Sequence, residues 1–192
     1  MLVCLTGKTG SGKSTVLNQI NNLGYKTYEM DKYIHSIYQV NQPGYELIKS
    51  YFGEIYVNGN EVDRKKLGQL VFNHKEKLIK LNELMLPLIR NEIIRIKNTS
   101  NTKEIIFIEL AIFLNHEEYF KNLFDQIVLV VGKSEIEEEK IKNLSWFKHK
   151  KKVKNPIKSE LNCEHETMFN TGSISNLVNK INTLIAKLKT KQ

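Results

Sequence analysis

Leu2-Val3-Cys4-Leu5-Thr6 runs directly into Gly7-Lys8-Thr9-Gly10-Ser11-Gly12-Lys13-Ser14, and the stretch from Lys13 to Asn22 then carries Val16, Leu17 and Ile20 at helical spacing. This reads as a short buried strand, a glycine-rich turn and an amphipathic helix. The turn satisfies the pattern of a glycine, four residues and Gly-Lys-Ser, at the strand-to-helix junction where that pattern has a mechanical meaning. Glycines let the backbone curl so that consecutive amides point inward, and the start of the helix adds the positive end of its dipole. The implied ligand is a nucleotide phosphate chain. Gly7, Thr9, Gly10, Ser11, Gly12, Lys13, Ser14 and Thr15 are its candidate contacts. Lys13 is expected to meet the β and γ phosphates, and Ser14 to offer its hydroxyl to Mg²⁺, with Thr15 as a second hydroxyl.

Outward from the loop, Gly24 stops the first helix, Lys26 to Met30 reads as a second strand, and Tyr33 to Val40 looks helical. Asp31 then sits at a strand's carboxyl end. It can orient or deprotonate a phosphoryl acceptor, or it can cap the helix that begins at Lys32. The stretch from Tyr45 to Ile96 is mostly helical, interrupted by the turn dipeptide Asn58-Gly59 and by Pro87. Glu104 to Leu110 and Gln126 to Val131 are apolar runs of strand length, as expected of parallel strands covered on both faces. From Lys133 to Glu160 the chain is highly charged and nearly lacks an apolar face, a composition that suits a mobile cover or a solvated surface. Beyond it, Gly172 and Ser173 open a last helix whose stripe of Ile174, Leu177, Val178, Ile181, Leu184, Ile185 and Leu188 is core packing.

Alternating strands and helices favour a three-layer α/β fold, with a parallel sheet flanked by helices. The 192 residues fit a single domain of this P-loop class, with a core of about 1–31 and 97–192, a helical insert of about 32–96 and a lid of about 133–160. The formal charge of +8 suits polyanionic partners, but only Arg64, Arg90 and Arg95 are arginines, so most of it is lysine, whereas nucleic-acid faces usually mix arginine and aromatics among their charges. No specific nucleic-acid partner is expected. Cys4 and Cys163 lie far apart without a metal-ligand pattern, which points to a reducing, cytoplasmic setting. No run approaches the roughly 18 apolar residues that a membrane helix needs, and Met1 to Leu5 is too short for a signal-peptide core.

Beyond the loop, the chain resembles the dephospho-coenzyme A kinase family over nearly its whole length. The resemblance is carried by Leu5-Thr6-Gly7, by Leu23-Gly24 before Asp31, by Pro43-Gly44, and by Tyr51-Phe52-Gly53-Glu54-Ile55. It continues through Val62-Asp63-Arg64-Lys65-Lys66-Leu67-Gly68, Val71-Phe72, Leu81-Asn82, Pro87-Leu88-Ile89-Arg90 and Asn170-Thr171-Gly172-Ser173. The resemblance implies ATP with Mg²⁺ as phosphate donor and dephospho-coenzyme A as acceptor. It implies Asp31 as the base that accepts the hydroxyl proton, together with Lys13 at the phosphates. His35, Pro87 and Arg90 fall on the acceptor side by the same resemblance, and Asn170 near the nucleotide base or in an ordinary helix cap.

The chain departs from the family pattern at named positions. Glu29 replaces an aspartate, His35 an arginine and Leu86 a histidine, and Glu109-Leu110 stands where the family has aspartate and proline. Glu109 remains a candidate for Mg²⁺ through water. The lid segment has no arginine, which leaves Lys140, Lys142, Lys148 and Lys150 to supply its charge. These departures keep two other readings open: a related kinase with a shifted acceptor, and a nucleotide-binding protein with little turnover.

Overall fold

The computed structural model describes residues 1–101, 103–133 and 161–191. They group into two compact units, Met1–Tyr28 with Asn101–Gln192, and Glu29–Ser100. The lid expected over 133–160, with Lys140, Lys142, Lys148 and Lys150, lies outside the described residues apart from Lys133. Among the described residues no helix is long and apolar enough to cross a membrane.

The first unit is built on a five-stranded sheet. Its strands are β1 (Leu2–Thr6), β2 (Lys26–Glu29), β3 (Ile106–Glu109), β4 (Gln126–Gly132) and β5 (Glu166–Asn170), in the order β2-β3-β1-β4-β5. β1 pairs in parallel with both β3 and β4, and β4 in parallel with β5. Every residue of β1 and β3 is buried, so each reads as an apolar run rather than an alternating one, up to the polar residue, Thr6 or Glu109, at its carboxyl end. One face of the sheet presents Val3, Leu5, Phe107, Val128 and Val130 to helix α1 (Lys13–Asn22) and to the final helix Ile174–Lys189. α1 contributes Val16, Leu17 and Ile20 to that layer, and the final helix contributes Leu177, Ile181, Leu184, Ile185 and Leu188. The helical turn Ala111–Asn115 packs against β1, and Phe113 and Phe120 beside it are fully buried.

Several expectations shift at their edges. β2 ends at Glu29, because the buried Met30 already belongs to the next helix. The final helix starts as expected, with the Ser173 hydroxyl accepting from Asn176 N at 3.3 Å, but Ile174 is 62% exposed and its packing stripe begins at Leu177. β5 has no counterpart among the expected strands. Its sequence Glu-Thr-Met-Phe-Asn buries only Met168, so it carries no apolar run to betray it.

The second unit is helical: α2 (Met30–Ile37), α3 (Pro43–Phe52), α4 (Arg64–Asn73) and α5 (Lys75–Thr99). Its core joins Ile37, Tyr38, Tyr45, Ile48, Val62, Leu67 and Met85. Pro43 opens α3 in its first turn, where a missing N–H costs nothing, and the Asp63 carboxylate caps α4 by accepting from Lys66 N at 3.0 Å. The Asn58-Gly59 turn forms as read, with Asn58 Oδ1 accepting from the amides of Asn60 and Glu61 at 2.8 Å each.

Pro87 does not interrupt its segment. α5 runs straight through it for 25 residues, with Pro87 on the exposed side and Met85 and Ile89 buried on the other. A proline ring on the solvent side leaves the freed carbonyl one turn back accessible to water, so packing of the opposite stripe holds the helix together. Asp31 is likewise not a helix cap. α2 begins at Met30 with Glu29 in the capping position, so Asp31 lies inside the first turn.

Candidate active site

Six residues, Gly7 to Gly12, connect β1 to α1, and their path is set by what surrounds them. A Cβ on Gly7 would lie 2.3 Å from the carbonyl oxygen of Val130 in β4, so the loop leaves the sheet at a place where only glycine fits. Gly12, at φ 86° and ψ 26°, takes the left-handed conformation that turns the loop into the helix. Within the loop, Ser11 N donates to Lys8 O at 3.2 Å. α1 has no side-chain cap and no acidic residue in its first turn, so its leading amides are left for an external anion.

Lys13 is buried to 7% exposure, and its ammonium donates to Gly7 O and Lys8 O at 3.0 Å each. The charge therefore lies across the concave side of its own loop, where a bound phosphate chain would exchange carbonyl partners for phosphate oxygens. Among the described residues the buried hydroxyls of Thr6 and Ser11 have no hydrogen-bond partner. Thr9, Gly10, Ser14 and Thr15 are exposed around them. A loop that presents exposed amides and a buried cation can bind phosphate through backbone and charge alone.

Glu109 closes β3, in register with Leu5 of β1, and is 9% exposed. Strand alternation puts it on the side of Phe107, the face that α1 covers. The Ser14 hydroxyl at the start of α1 and the Glu109 carboxylate at the sheet's carboxyl edge are hard oxygen donors of the kind Mg²⁺ takes, so the donor set fits that ion.

β5 brings Asn170 to the same loop. Its side-chain amide donates to Ser11 O at 3.1 Å across 159 positions of sequence. Sequence reading placed Asn170 near the nucleotide and missed this contact, and it passed over Val130 and Gly132 entirely. A Cβ on Gly132 would lie 2.9 Å from Ser11 Cα, and the terminal glycine of the Val130-Val131-Gly132 strand end is the one local sign of that approach.

The remaining candidates lie in the second unit. Asp31 is exposed in the first turn of α2, flanked by a Lys32–Glu29 ion pair at 2.7 Å. His35 follows one turn later on the same helix, and its Nε2 meets the Arg64 guanidinium from the start of α4. Pro87 and Arg90 are three positions apart on α5 and therefore neighbours on its surface, the first exposed and the second half-buried. Tyr33 of α2 donates to Leu88 O of α5 at 3.5 Å, and burial pushes its phenol pKa up.

Comparison with known proteins gives the family and the fold. A family model described as dephospho-CoA kinase matches residues 1–177. The dephospho-CoA kinase of Mycoplasma genitalium is 37% identical over 188 residues, covering 96% of this chain and 91% of its own. That of Aquifex aeolicus is 33% identical over 190 residues, covering 96% and 95%. Among solved structures, a dephospho-CoA kinase from Campylobacter jejuni superposes with a TM-score of 0.70 at 24% identity, covering 99% of this chain and 98% of that one, and shares the fold. The chain belongs to the dephospho-CoA kinase family.

Proposed function

We propose, from that membership, that the chain transfers the γ-phosphate of ATP to the ribose 3′-hydroxyl of dephospho-coenzyme A, giving coenzyme A and ADP. The observation that carries this is a complete phosphate loop, with Lys13 folded over its carbonyls, in a chain that matches the family along residues 1–177. In the transfer, the 3′-oxygen bonds to the γ-phosphorus as the bond from that phosphorus to the β-bridging oxygen breaks. The hydroxyl proton passes to the Asp31 carboxylate, and the electron pair of the broken bond leaves with ADP. Lys13 and the amides of residues 7 to 14 stabilise the charge on the phosphate oxygens without reorganising during the step. Ser14, directly, and Glu109, through water, would hold Mg²⁺, which when bound offsets phosphate charge. Arg90 and Pro87 on α5, with His35 on α2, make up the acceptor side, and Asn170 lies by the nucleotide. A reducing cytoplasmic setting accords with the free thiols of Cys4 and Cys163.

A second reading, a kinase with a shifted acceptor, is favoured by the acceptor side alone: His35 meets Arg64, and Leu86 puts an apolar side chain on α5 where the family has a polar one. An acceptor panel separates the two. Dephospho-coenzyme A should be phosphorylated far faster than adenosine, free nucleotides or shikimate, and a faster reaction with any of these would overturn the assignment.

A further inference from the structure

Ser11 O and the side chain of Asn170 meet at 3.1 Å where β5 ends, and this contact fixes more than a distance. β4 and β5 end side by side, with Gly132 in register with Asn170. Together they form a floor under the loop: a Cβ on Gly132 would strike Ser11 Cα at 2.9 Å, and a Cβ on Gly12 would fall 2.0 Å from Asn170 Nδ2. The loop is thus seated against backbone on one side and against a single amide on the other.

Chain geometry supplies the consequence. No peptide in the described chain is cis, so the carbonyl of Ser11 and the N–H of Gly12 point in opposite directions across one rigid plane. A carbonyl held towards Asn170 turns the Gly12 amide away from Asn170, the sense it needs to face a phosphate chain held by Lys13. Without the clip, that peptide is free to flip, and a flipped peptide aims a carbonyl oxygen instead of an N–H at the bound phosphates.

We infer that Asn170 is a positioning residue of the phosphate loop: its side-chain amide aims the Gly12 N–H at the phosphate chain, independently of any contact with the nucleotide base. The left-handed Gly12 belongs to the same device, because any side chain there would displace the Asn170 amide. Asn170 in this role holds the donor that touches phosphate and does not itself touch the reacting atoms. The inference rests on the phosphate-loop reading, and not on which acceptor is used.

Titration of wild type and Asn170→Ala with Mg-ATP, Mg-GTP and Mg-tripolyphosphate, which has no base, tests it. Loss of one oriented hydrogen bond should weaken all three by the same factor, about five- to tenfold, with the Michaelis constant for the acceptor unchanged. If Asn170→Ala does not hold its fold, Asn170→Leu, of similar size and uncharged but without the donor, takes its place with the same expectation. Unchanged tripolyphosphate affinity beside weakened ATP would overturn the inference and make Asn170 a base contact. A loss confined to thermal stability, with all three affinities unchanged, would overturn it as well.

Discussion

The phosphate loop and the helical unit from Glu29 to Ser100 differ in how much freedom each leaves its residues. Around the loop, Val130 O, Ser11 Cα and the Asn170 amide approach Gly7, Gly132 and Gly12 so closely that a single methyl group does not fit at any of them. In the helical unit, Asp31, His35 and Pro87 are exposed side chains on a scaffold whose core is made by other residues. Of the departures from the family pattern, Glu29, His35 and Leu86 fall in this second unit, while Glu109-Leu110 falls in the first, outside the loop itself. Phosphate chemistry is the same for every nucleotide and can be met by backbone, whereas an acceptor is recognised by side chains that can be exchanged without unfolding anything.

Substitutions should reproduce that difference. Lys13→Ala removes the one buried cation of the loop and should lower phosphate transfer by at least about a thousandfold, since loss of a single preorganised charge-stabilising group costs on that order. Steady-state rates with the secondary structure checked by circular dichroism would show it, and near wild-type turnover would break the loop assignment. Asp31→Asn should leave ATP affinity intact and lower turnover by about a hundredfold, at the low end of what a general base supplies. A fall in melting temperature with activity retained would instead make Asp31 part of the α2 scaffold. Arg90→Ala should raise the Michaelis constant for dephospho-coenzyme A by about tenfold through loss of charge-assisted hydrogen bonds, leaving that for ATP unchanged. A selective rise for ATP would erase the contrast between the units.

The smallest effect concerns stability. Glu117 is 8% exposed, and its carboxylate accepts from Asn162 N at 2.9 Å, where the chain enters β5. Burial pushes this carboxyl up, but the amides of Asn162 and Cys163 and the Cys163 thiol more than offset it, so its pKa lies below the ordinary glutamate value. Burial and the neighbouring Glu117 carboxylate push the Cys163 thiol up to about 11, so it stays protonated as the donor at neutral pH. A depressed folded-state pKa stabilises the fold above the ordinary value of about 4.3, and that contribution is lost as pH falls through the folded value. Melting temperature should therefore drop more steeply below about pH 4 in wild type than in Glu117→Gln, and parallel curves would contradict the linkage.

The parts that were legible in sequence are those whose cause is local. β1, α1 and the loop between them follow from a run of apolar residues, three helix-spaced aliphatics and glycines at fixed offsets. β3 and β4 follow from isoleucine and valine packed on two faces. β5 was not legible because it is an edge strand with one buried residue, held by pairing with β4 rather than by its own composition. Pro87 misled because the rule against proline inside helices is local, while the stripe that holds α5 together is tertiary. The clip from Asn170 to Ser11 was hidden for the same reason: neither residue's neighbours in sequence carry a trace of a partner 159 positions away.

The central claim is that the loop and the acceptor side act on one phosphoryl group. Incubation with Mg-ATP and dephospho-coenzyme A, followed by ³¹P resonance of the products, tests it most directly. The account predicts a new 3′-phosphomonoester signal that grows in equal proportion to ADP and disappears in Lys13→Ala. ADP and free phosphate formed without that monoester would contradict it.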